Sequence, residues 1–481
     1  MDTFTALIQS GLGNLASYLA AHVLLCLLPA FFIAGAMTAL IPKESITRFL
    51  GRNSPKYVSY PAAVASGSLL AVCSCTIVPL FAGIYKKGAG IGPAIAFLFF
   101  APAANILALI YTGGIIGTDL AFARFFLSLL FGIGIGMIMA LIFRKEDIAH
   151  DEATDEMFSG MGVMSNAAKV FLGILVALLL SGTLKIGLLT NTYATLTLPI
   201  SGVEHFQEFL FQLIPFDAAK GEEGVSVQGA VLIFFLLLIG GAAWKGFENI
   251  FDGISRWTYI CLSLVALTLL VAAVGMAPHA NGLDILINGK FIGVAICLAI
   301  VFWLLKKRFT EDETINFLWE SWKFVKQIFP LLVIGVFAVG VIRELIRPEW
   351  IEAIAGENSL LGNLAGVVFG IFMYFPTLVE VPIAKMFLSL GMHKGPLLAY
   401  LMADPELSLQ SVLITATIIG RLRTMVYVVF VAIFSTISGL IYGMWIDGAG
   451  VAMLILFLLA ALAVLAAVLW FINRCTGTCS K

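Results

Sequence analysis

Long apolar runs separated by short polar stretches make up most of the chain. A helix needs about 20 apolar residues to cross a bilayer core of roughly 30 Å, and roughly thirteen runs meet or approach that length. They lie near residues 15–41, 60–84, 91–116, 121–143, 168–189, 227–244, 257–276, 290–305, 324–342, 361–385, 396–418, 424–445 and 450–472. None shows the alternation that a membrane β-barrel requires. The pattern therefore predicts an all-α fold class, a polytopic transmembrane helical bundle.

The composition is typical of a multi-pass membrane protein and excludes a nucleic-acid-binding protein. Of the 481 residues, 60% are hydrophobic and 12% are charged, and the mean hydropathy is +1.03. The net charge is −1 and no basic block occurs, so nucleic acid is excluded as a partner. The N-terminal segment lacks a positively charged n-region, so we expect no cleaved signal. The expected location is the cell (plasma) membrane, in bacteria the inner membrane, with the lipid bilayer as partner.

An internal repeat organises the apolar runs. Residues 79–102 align without a gap to residues 382–405, at a constant offset of 303. The alignment pairs identical glycines and prolines, which fix where a backbone turns or breaks: Pro79, Gly88, Gly92, Pro93 and Pro102 with Pro382, Gly391, Gly395, Pro396 and Pro405. Lys and Arg divide evenly between the loops, so a parallel or inverted arrangement stays open.

The repeat suggests four parts of the chain. Residues 1–145 form a first transmembrane repeat, and residues 146–315 form inserted transmembrane segments and polar loops. Residues 316–446 form a second transmembrane repeat, and residues 447–481 form a final helix with a cysteine-containing tail. Internal duplication is typical of secondary transporters, whose substrate site lies at the repeat interface in discontinuous helices.

Four prolines are predicted to break helices: Pro79, Pro102, Pro382 and Pro405. A proline cannot donate to the carbonyl four residues earlier, and its ring crowds that carbonyl. Pro79 and Pro382 would thereby free the carbonyls of Cys75 and Leu378. We therefore expect the two repeats to superpose, with breaks near Cys75 and Leu378.

Cys73 and Cys75 are the first candidate binding residues. Residues two apart point to the same side in extended backbone, so two thiols beside a helix break can hold one soft centre such as Cu(I), Zn(II) or trivalent arsenic. The alternative is that a buried cysteine packs as a small hydrophobe. We favour packing for Cys26, Cys261 and Cys297, each alone in an apolar run. Cys475 and Cys479 suggest an accessory soft-ion site or a local disulfide.

Two acids inside predicted spans are further candidates, because charge inside a membrane is costly and usually functional. Glu380 occupies the repeat position of Ile77 and is expected in the interior near the Cys-Ser-Cys motif, where it can carry a coupling proton. Its alternative is a structural pair with Lys385 or with another helix. Asp404 precedes Pro405, and the alternative for Asp404 or Glu406 is a helix cap.

Small polar residues complete the predicted substrate site. They either line a pathway or satisfy backbone groups freed by the breaks. The predicted substrate-binding residues are Cys73, Ser74, Cys75, Asn105, Thr377, Glu380, Asp404 and Ser408. No catalytic residue, resident metal or cofactor is predicted.

The segment CSCTIVPLFAGIYKKGAGIGPAIAFLFFAPAANILAL resembles the signature of the ArsP-like predicted permeases, a family that includes organoarsenical efflux permeases. The matching residues are Cys73, Ser74, Cys75, Pro79, Lys87, Gly88, Gly92, Pro102 and Asn105. The resemblance covers both repeats and implies a permease. The inserted segment at 168–308 and the acid in TLVEVP depart from compact members, so the resemblance alone does not identify the substrate.

The expected function is a secondary transporter that exports a small thiophilic solute, such as a trivalent organoarsenical. One alternative is a membrane redox enzyme in which Cys73 and Cys75 exchange electrons with a partner or quinone. Others are a permease for an unrelated small anion or metabolite, and a channel or scaffold. We expect no enzyme, because the second repeat lacks cysteines and the sequence has no haem-ligating His pair, flavin fingerprint or H-E-x-x-H motif. Oligomeric state stays open.

Overall fold

The fold was obtained as a computed structural model. It describes residues 2–20, 23–41, 43–69, 74–158, 165–184, 187–200, 202–214, 224–279, 282–345, 348–372 and 377–478. Most of these residues are helical, which confirms the all-α polytopic fold class.

The first third of the chain forms nine helices in the described residues. They are α1 (Asp2–Ala20), α2 (Val23–Leu40), α3 (Lys43–Leu50), α4 (Lys56–Leu69), α5 (Ser74–Lys86), α6 (Ile91–Ala103), α7 (Ile106–Ile115), α8 (Thr118–Ile142) and α9 (Arg144–Phe158).

The middle third combines helices with a small sheet. Its helices are α10 (Asn166–Thr183), α11 (Gly187–Thr190), α12 (Val203–Leu213), α13 (Val227–Phe247), α14 (Arg256–Ala273) and α15 (Gly289–Lys307). Strands β1 (Thr192–Leu198), β2 (Gly275–His279) and β3 (Gly282–Asn288) form an antiparallel sheet in the order β1-β3-β2. The sheet was not predicted, although threonine and leucine alternate over residues 195–198 of β1.

The last third forms eight described helices. They are α16 (Glu311–Leu345), α17 (Pro348–Ala355), α18 (Leu360–Phe372), α19 (Thr377–Ser389), α20 (Lys394–Leu407), α21 (Leu409–Ile419), α22 (Arg421–Ile446) and α23 (Val451–Thr478).

Seven helical stretches in the described residues are long and apolar enough to span a membrane, or eight if the bent pair α20–α21 counts as one span. Run 396–418 contains this bent pair, so one apolar run there holds two short helices. Runs 60–84 and 361–385 include residues outside the described part of the chain, and the count of roughly thirteen runs stays a prediction.

Helices α5 to α8 recur as α19 to α22 at the offset of the sequence repeat. Helices α5 and α19 end 303 residues apart, at 86 and 389, and the next three pairs begin 303 residues apart, at 91 and 394, 106 and 409, and 118 and 421. The turns before α6 and α20 contain Gly88 and Gly391, whose φ angles are 88° and 91°. This left-handed conformation favours glycine, which explains why the repeated glycines stand at these turns.

The bundle centres on α6 and α20. Every residue of α6 is buried, and so is every residue of α20 after Lys394. Helix α6 packs against α4 and α8, and α20 packs in the same way against α18 and α22. A Cβ on Gly136 would lie 2.5 Å from the carbonyl oxygen of Gly92, and one on Gly439 would lie 2.6 Å from that of Gly395. Equivalent glycine contacts thus bring the backbones of α6 and α8 together in one half and those of α20 and α22 together in the other.

The equivalent helices α8 and α22 run antiparallel against each other. Near the start of α8, Asp119 accepts a hydrogen bond of 2.9 Å from the Tyr442 hydroxyl near the end of α22. Further along, Phe131 of α8 packs on Phe434 of α22 with ring centroids 4.8 Å apart. As residue numbers increase along α8, the residues that they contact on α22 have lower numbers. The two helices therefore run in opposite directions.

The starts of α6 and α20 lie at opposite ends of α8. The amide of Ile91, the first residue of α6, donates to Asp147 just beyond the end of α8, at 2.9 Å. Lys394, the first residue of α20, donates to Asp119 at the beginning of α8, at 3.2 Å. Since α8 is 25 residues long, these contacts separate the two helix starts by the length of a membrane span.

Candidate functional site

A buried ion pair joins the two halves of the bundle. Arg124 of α8 donates from Nη2 to Oε1 of Glu380 of α19 at 2.8 Å. The side chains are 0% and 1% exposed. Glu380 therefore pairs with a residue of another helix. It does not pair with Lys385, which is exposed. The ion pair is buried, whereas the Lys394–Asp119 pair between the halves has side chains that are 37% and 35% exposed.

Arg124 also stabilises the end of α6. Its Nε donates to the carbonyl oxygen of Ala103 at 2.6 Å, and Nη1 donates to Oγ1 of Thr112 at 3.2 Å. Ala103 is the last residue of α6, and the last carbonyls of a helix lack intrahelical partners and carry partial negative charge. One guanidinium thus connects α6, α7, α8 and α19.

The pair leaves one carboxylate oxygen of Glu380 unsatisfied. Oε2 is buried and has no hydrogen-bond partner within the described part of the chain. Removing two charges from water costs several kcal/mol for each ion, and the attraction offsets this only where the remaining lone pairs are also satisfied. The site therefore holds a fixed positive group and a free acceptor side by side, which suits recognition of a polar group or a proton.

A second cluster of buried polar side chains surrounds the junction of α20 and α21. The helices meet at Ser408 with a bend of 47°. Glu406 accepts a hydrogen bond of 2.6 Å from the Tyr427 hydroxyl, and Ser408 donates to Ser411 at 2.8 Å. Asp404 is fully buried in the same half of α20. Glu406 thus accepts a side-chain hydrogen bond, rather than capping a helix as its alternative suggested.

Asn105 lies at the equivalent junction between α6 and α7. It is 1% exposed, and its Oδ1 accepts from the amide of Ala108 at 2.9 Å, which caps α7. This contact satisfies a backbone donor at the start of α7, one of the two roles considered for the small polar residues. Ser408 holds the matching position before α21, where no side-chain cap is formed.

The Cys-Ser-Cys motif falls at the edge of what the structure describes. Cys73 lies outside the described residues, and so do residues 373–376 of the second half. Ser74, Cys75 and Thr377 belong to the first turns of α5 and α19, where only their backbone is described. Cys261 and Cys297 are buried free thiols on α14 and α15, in accord with a packing role.

The four prolines lie inside helices. Pro79 and Pro382 are the sixth residues of α5 and α19, which begin at Ser74 and Thr377. The predicted breaks near Cys75 and Leu378 adjoin residues 70–73 and 373–376, which lie outside the described residues, and α5 and α19 continue through both prolines. Pro102 and Pro405 stand one and two residues before the ends of α6 and α20. The clearest breaks therefore follow these two prolines.

Several residues of these polar clusters were missing from the predicted site, among them Arg124, Glu406 and Tyr427. Arg124 had a signal, since it is an isolated basic residue inside an apolar run of a predicted span. Glu406 stands two residues beyond Asp404 and was treated only as a cap. Tyr427 gives no sequence signal, because a tyrosine within a membrane helix is commonplace.

These features define a polytopic membrane protein with buried charges at the contact between two helical halves. Comparison with known proteins identifies the family. Residues 10–444 match the model of the ArsP_1 family, described as "Predicted permease". The chain belongs to this permease family, which agrees with the resemblance found in the sequence.

Two curated relatives are similar to this chain, one over almost its full length and one over a short segment. The UPF0718 protein MJ0584 of Methanocaldococcus jannaschii is 34% identical over 443 residues, which cover 92% of this chain and 98% of the relative. The UPF0718 protein YraQ of Escherichia coli is 32% identical over 92 residues, or 19% of this chain and 26% of the relative. No solved structure matches the chain.

Proposed function

We propose that this permease is a secondary transporter that exports a small thiophilic solute, such as a trivalent organoarsenical, through a site at the interface of two inverted repeats. The observation that carries the proposal is the buried Arg124–Glu380 pair, which joins the repeats at 2.8 Å. A charged pair inside a membrane bundle is costly and is usually kept for substrate or ion pathways.

The inverted arrangement is supported by four contacts. Asp119 with Tyr442 and Phe131 with Phe434 set α8 and α22 antiparallel. Lys394 at the start of α20 donates to Asp119 at the beginning of α8, whereas Ile91 at the start of α6 donates to Asp147 beyond the end of α8. Inverted repeats provide alternating access, since rocking of one repeat against the other opens a central site to each side in turn.

The solute site is proposed where each repeat packs on the other. Helix α19 packs against α7, and the equivalent α5 packs against α21. The Cys-Ser-Cys motif stands at the start of α5, so its thiols would take the soft centre, while Glu380 would carry the coupling proton. In this proposal residues 1–145 and 316–446 are the repeats, and residues 146–315 and 447–481 are additions around them. Export across the plasma (inner) membrane rests on the family resemblance.

The test is resistance to a trivalent methylarsenical in an exporter-deficient bacterial host. Cys73→Ser and Cys75→Ser should each abolish the resistance that the wild type confers, at equal membrane expression. Cys261→Ser is the control, because this buried thiol lies alone on α14. If all three variants protect as well as wild type, the thiols are packing residues. Loss of uptake into inverted vesicles when the proton gradient is collapsed would identify the coupling ion.

A further inference from the structure

The broken end of α20 carries an acid without a basic partner. Glu406 is the penultimate residue of α20 and is 4% exposed. Its Oε2 accepts from Tyr427 at 2.6 Å, whereas Oε1 is buried and has no hydrogen-bond partner among the residues that the structure describes. An ionised carboxylate in this position is strongly unfavourable, because the last carbonyls of the helix add negative charge beside it.

The first repeat shows what neutralises this position. At the offset of 303, Glu406 corresponds to Ala103 and Tyr427 corresponds to Arg124. In the first repeat the guanidinium of Arg124 donates to the Ala103 carbonyl at the end of α6. In the second repeat a neutral phenol replaces the guanidinium, and a carboxylic acid replaces the alanine. The second repeat therefore keeps the negative end of the broken helix, adds an acid and lacks the fixed cation.

Other charges around this end of α20 do not supply that cation. The charged or titratable side chains on α20 and on the helices packed against it are Lys394, Tyr400, Asp404, Asp119, Arg124, Glu380, Lys385, Arg421, Arg423, Tyr427 and Tyr442. Arg124 is held by Glu380, Lys394 by Asp119, and Arg423 donates to Tyr85 at 3.0 Å. None of these basic groups is hydrogen-bonded to Glu406.

A second buried side chain near the break also lacks partners. Gln410, the second residue of α21, is 1% exposed, and neither its Oε1 nor its Nε2 has a hydrogen-bond partner in the described part of the chain. It follows Glu406 by four residues, across the 47° bend. Buried amides are almost always hydrogen-bonded, so an unsatisfied one indicates a group that binds there.

We propose that Glu406 forms a site for a small cation, Na⁺ or a proton, at the broken C-terminal end of α20. Carboxyl and carbonyl oxygens at interrupted helices are the groups that hold coupling cations in secondary transporters. The inference deepens the proposed function, because a cation bound at one repeat supplies a means of coupling. It does not depend on the identity of the solute, so it is tested on purified protein without any arsenical.

The first measurement is thermal unfolding in NaCl against choline chloride at fixed ionic strength and pH 7. If the site takes Na⁺, saturating NaCl should raise the Tm of the wild type by about 3 °C, and Glu406→Gln should remove the rise. Glu208→Gln is the matched control, since Glu208 is exposed on α12 and its variant should keep the rise.

The second measurement detects a proton at the same carboxyl. If the site takes a proton, the infrared difference spectrum between wild type and Glu406→Gln should contain the C=O stretch of a protonated carboxylic acid. Should Glu406→Gln fail to fold, Tyr427→Phe takes its place. This variant removes the hydrogen bond to Glu406, so it should change the NaCl-dependent Tm rise or move the C=O stretch to higher frequency.

Either the Na⁺ result or the proton result supports the cation site. A wild type with neither a NaCl-dependent Tm rise nor a carboxylic acid band overturns it, as does a Tm rise or band that survives in Glu406→Gln. Cation binding together with failed arsenical resistance would refute the proposed solute and leave the cation site standing.

Discussion

Phe131 packs on Phe434 with ring centroids 4.8 Å apart, and the two residues occupy the same position in α8 and α22, 303 residues apart. A residue that meets its own equivalent lies beside the symmetry axis of a duplicated structure. Because the two helices are antiparallel, this axis is perpendicular to them. For helices that cross a bilayer, such an axis lies in the membrane plane, in accord with the inverted repeats that we propose.

The first prediction concerns the sides of the membrane on which the repeats begin. Lys56 and Glu357 are exposed; Lys56 is the first residue of α4, and Glu357 lies three residues before the start of α18. Cysteines placed at 56 and 357 should react with a membrane-impermeant maleimide from opposite sides, measured in intact cells and in inverted vesicles above the wild-type background. Labelling of both from the same side would contradict the inverted arrangement.

The second prediction uses two glycines of α8. A Cβ on Gly136 would lie 2.5 Å from the Gly92 carbonyl oxygen, whereas one on Gly134 would meet nothing within 4 Å. Gly136→Ala must separate α6 from α8, so we expect a loss of about 1–3 kcal/mol despite the better helix propensity of alanine. Gly134→Ala should be neutral or gain about 0.5–1 kcal/mol. Denaturant unfolding in mild detergent measures both, and equal effects would show that close packing at Gly136 is unimportant.

The third prediction concerns Asp147 of α9, outside the membrane spans. Its carboxylate is 4% exposed and accepts from the Ile91 amide at 2.9 Å. Burial raises the pKa of Asp147 above its ordinary value, although the hydrogen bond from Ile91 and nearby Arg52 lower it. An acid with a raised native pKa contributes stability below its unfolded pKa of about 3.8, and this contribution is lost as pH rises through the native pKa.

Asp147→Asn keeps an acceptor for Ile91 and removes the buried charge. Relative to wild type, this variant should therefore gain stability as pH rises from about 4 to 7. Glu152→Gln on the exposed side of α9 is the control and should not change the pH profile. Parallel Tm–pH curves for wild type and Asp147→Asn would mean that burial of Asp147 carries no such cost.

Sequence patterns indicated the helical class and the repeat, because apolar length and the spacing of glycine and proline determine both directly. They located the breaks only approximately. Pro405 predicted a break in run 396–418, and the helix bends by 47° three residues later, at Ser408. Such a bend depends on packing against other helices, which composition does not record.

The candidate site was only partly foreseeable for a similar reason. Glu380 was selected because an acid inside a span is costly by itself. Its partner, Arg124, is 256 residues away, and no local pattern links the two. Lys385 is close in sequence but exposed. Long-range pairing of this kind follows from the fold, so it becomes visible only when α8 and α19 are placed together.

The last prediction tests whether the Arg124–Glu380 pair is structural or functional. Removing one partner leaves an uncompensated buried charge, so Arg124→Gln or Glu380→Gln alone should each cost about 3–5 kcal/mol, whereas Arg124→Met with Glu380→Leu should recover most of that stability. Tm in detergent measures the stability of each variant, and arsenical resistance at equal expression measures its function. We expect the double variant to be folded but inactive, because an apolar pair can pack without binding a polar group or carrying a proton. A double variant that is both stable and fully active would reduce the ion pair to a packing element, whereas one that recovers no stability would contradict the energetic argument.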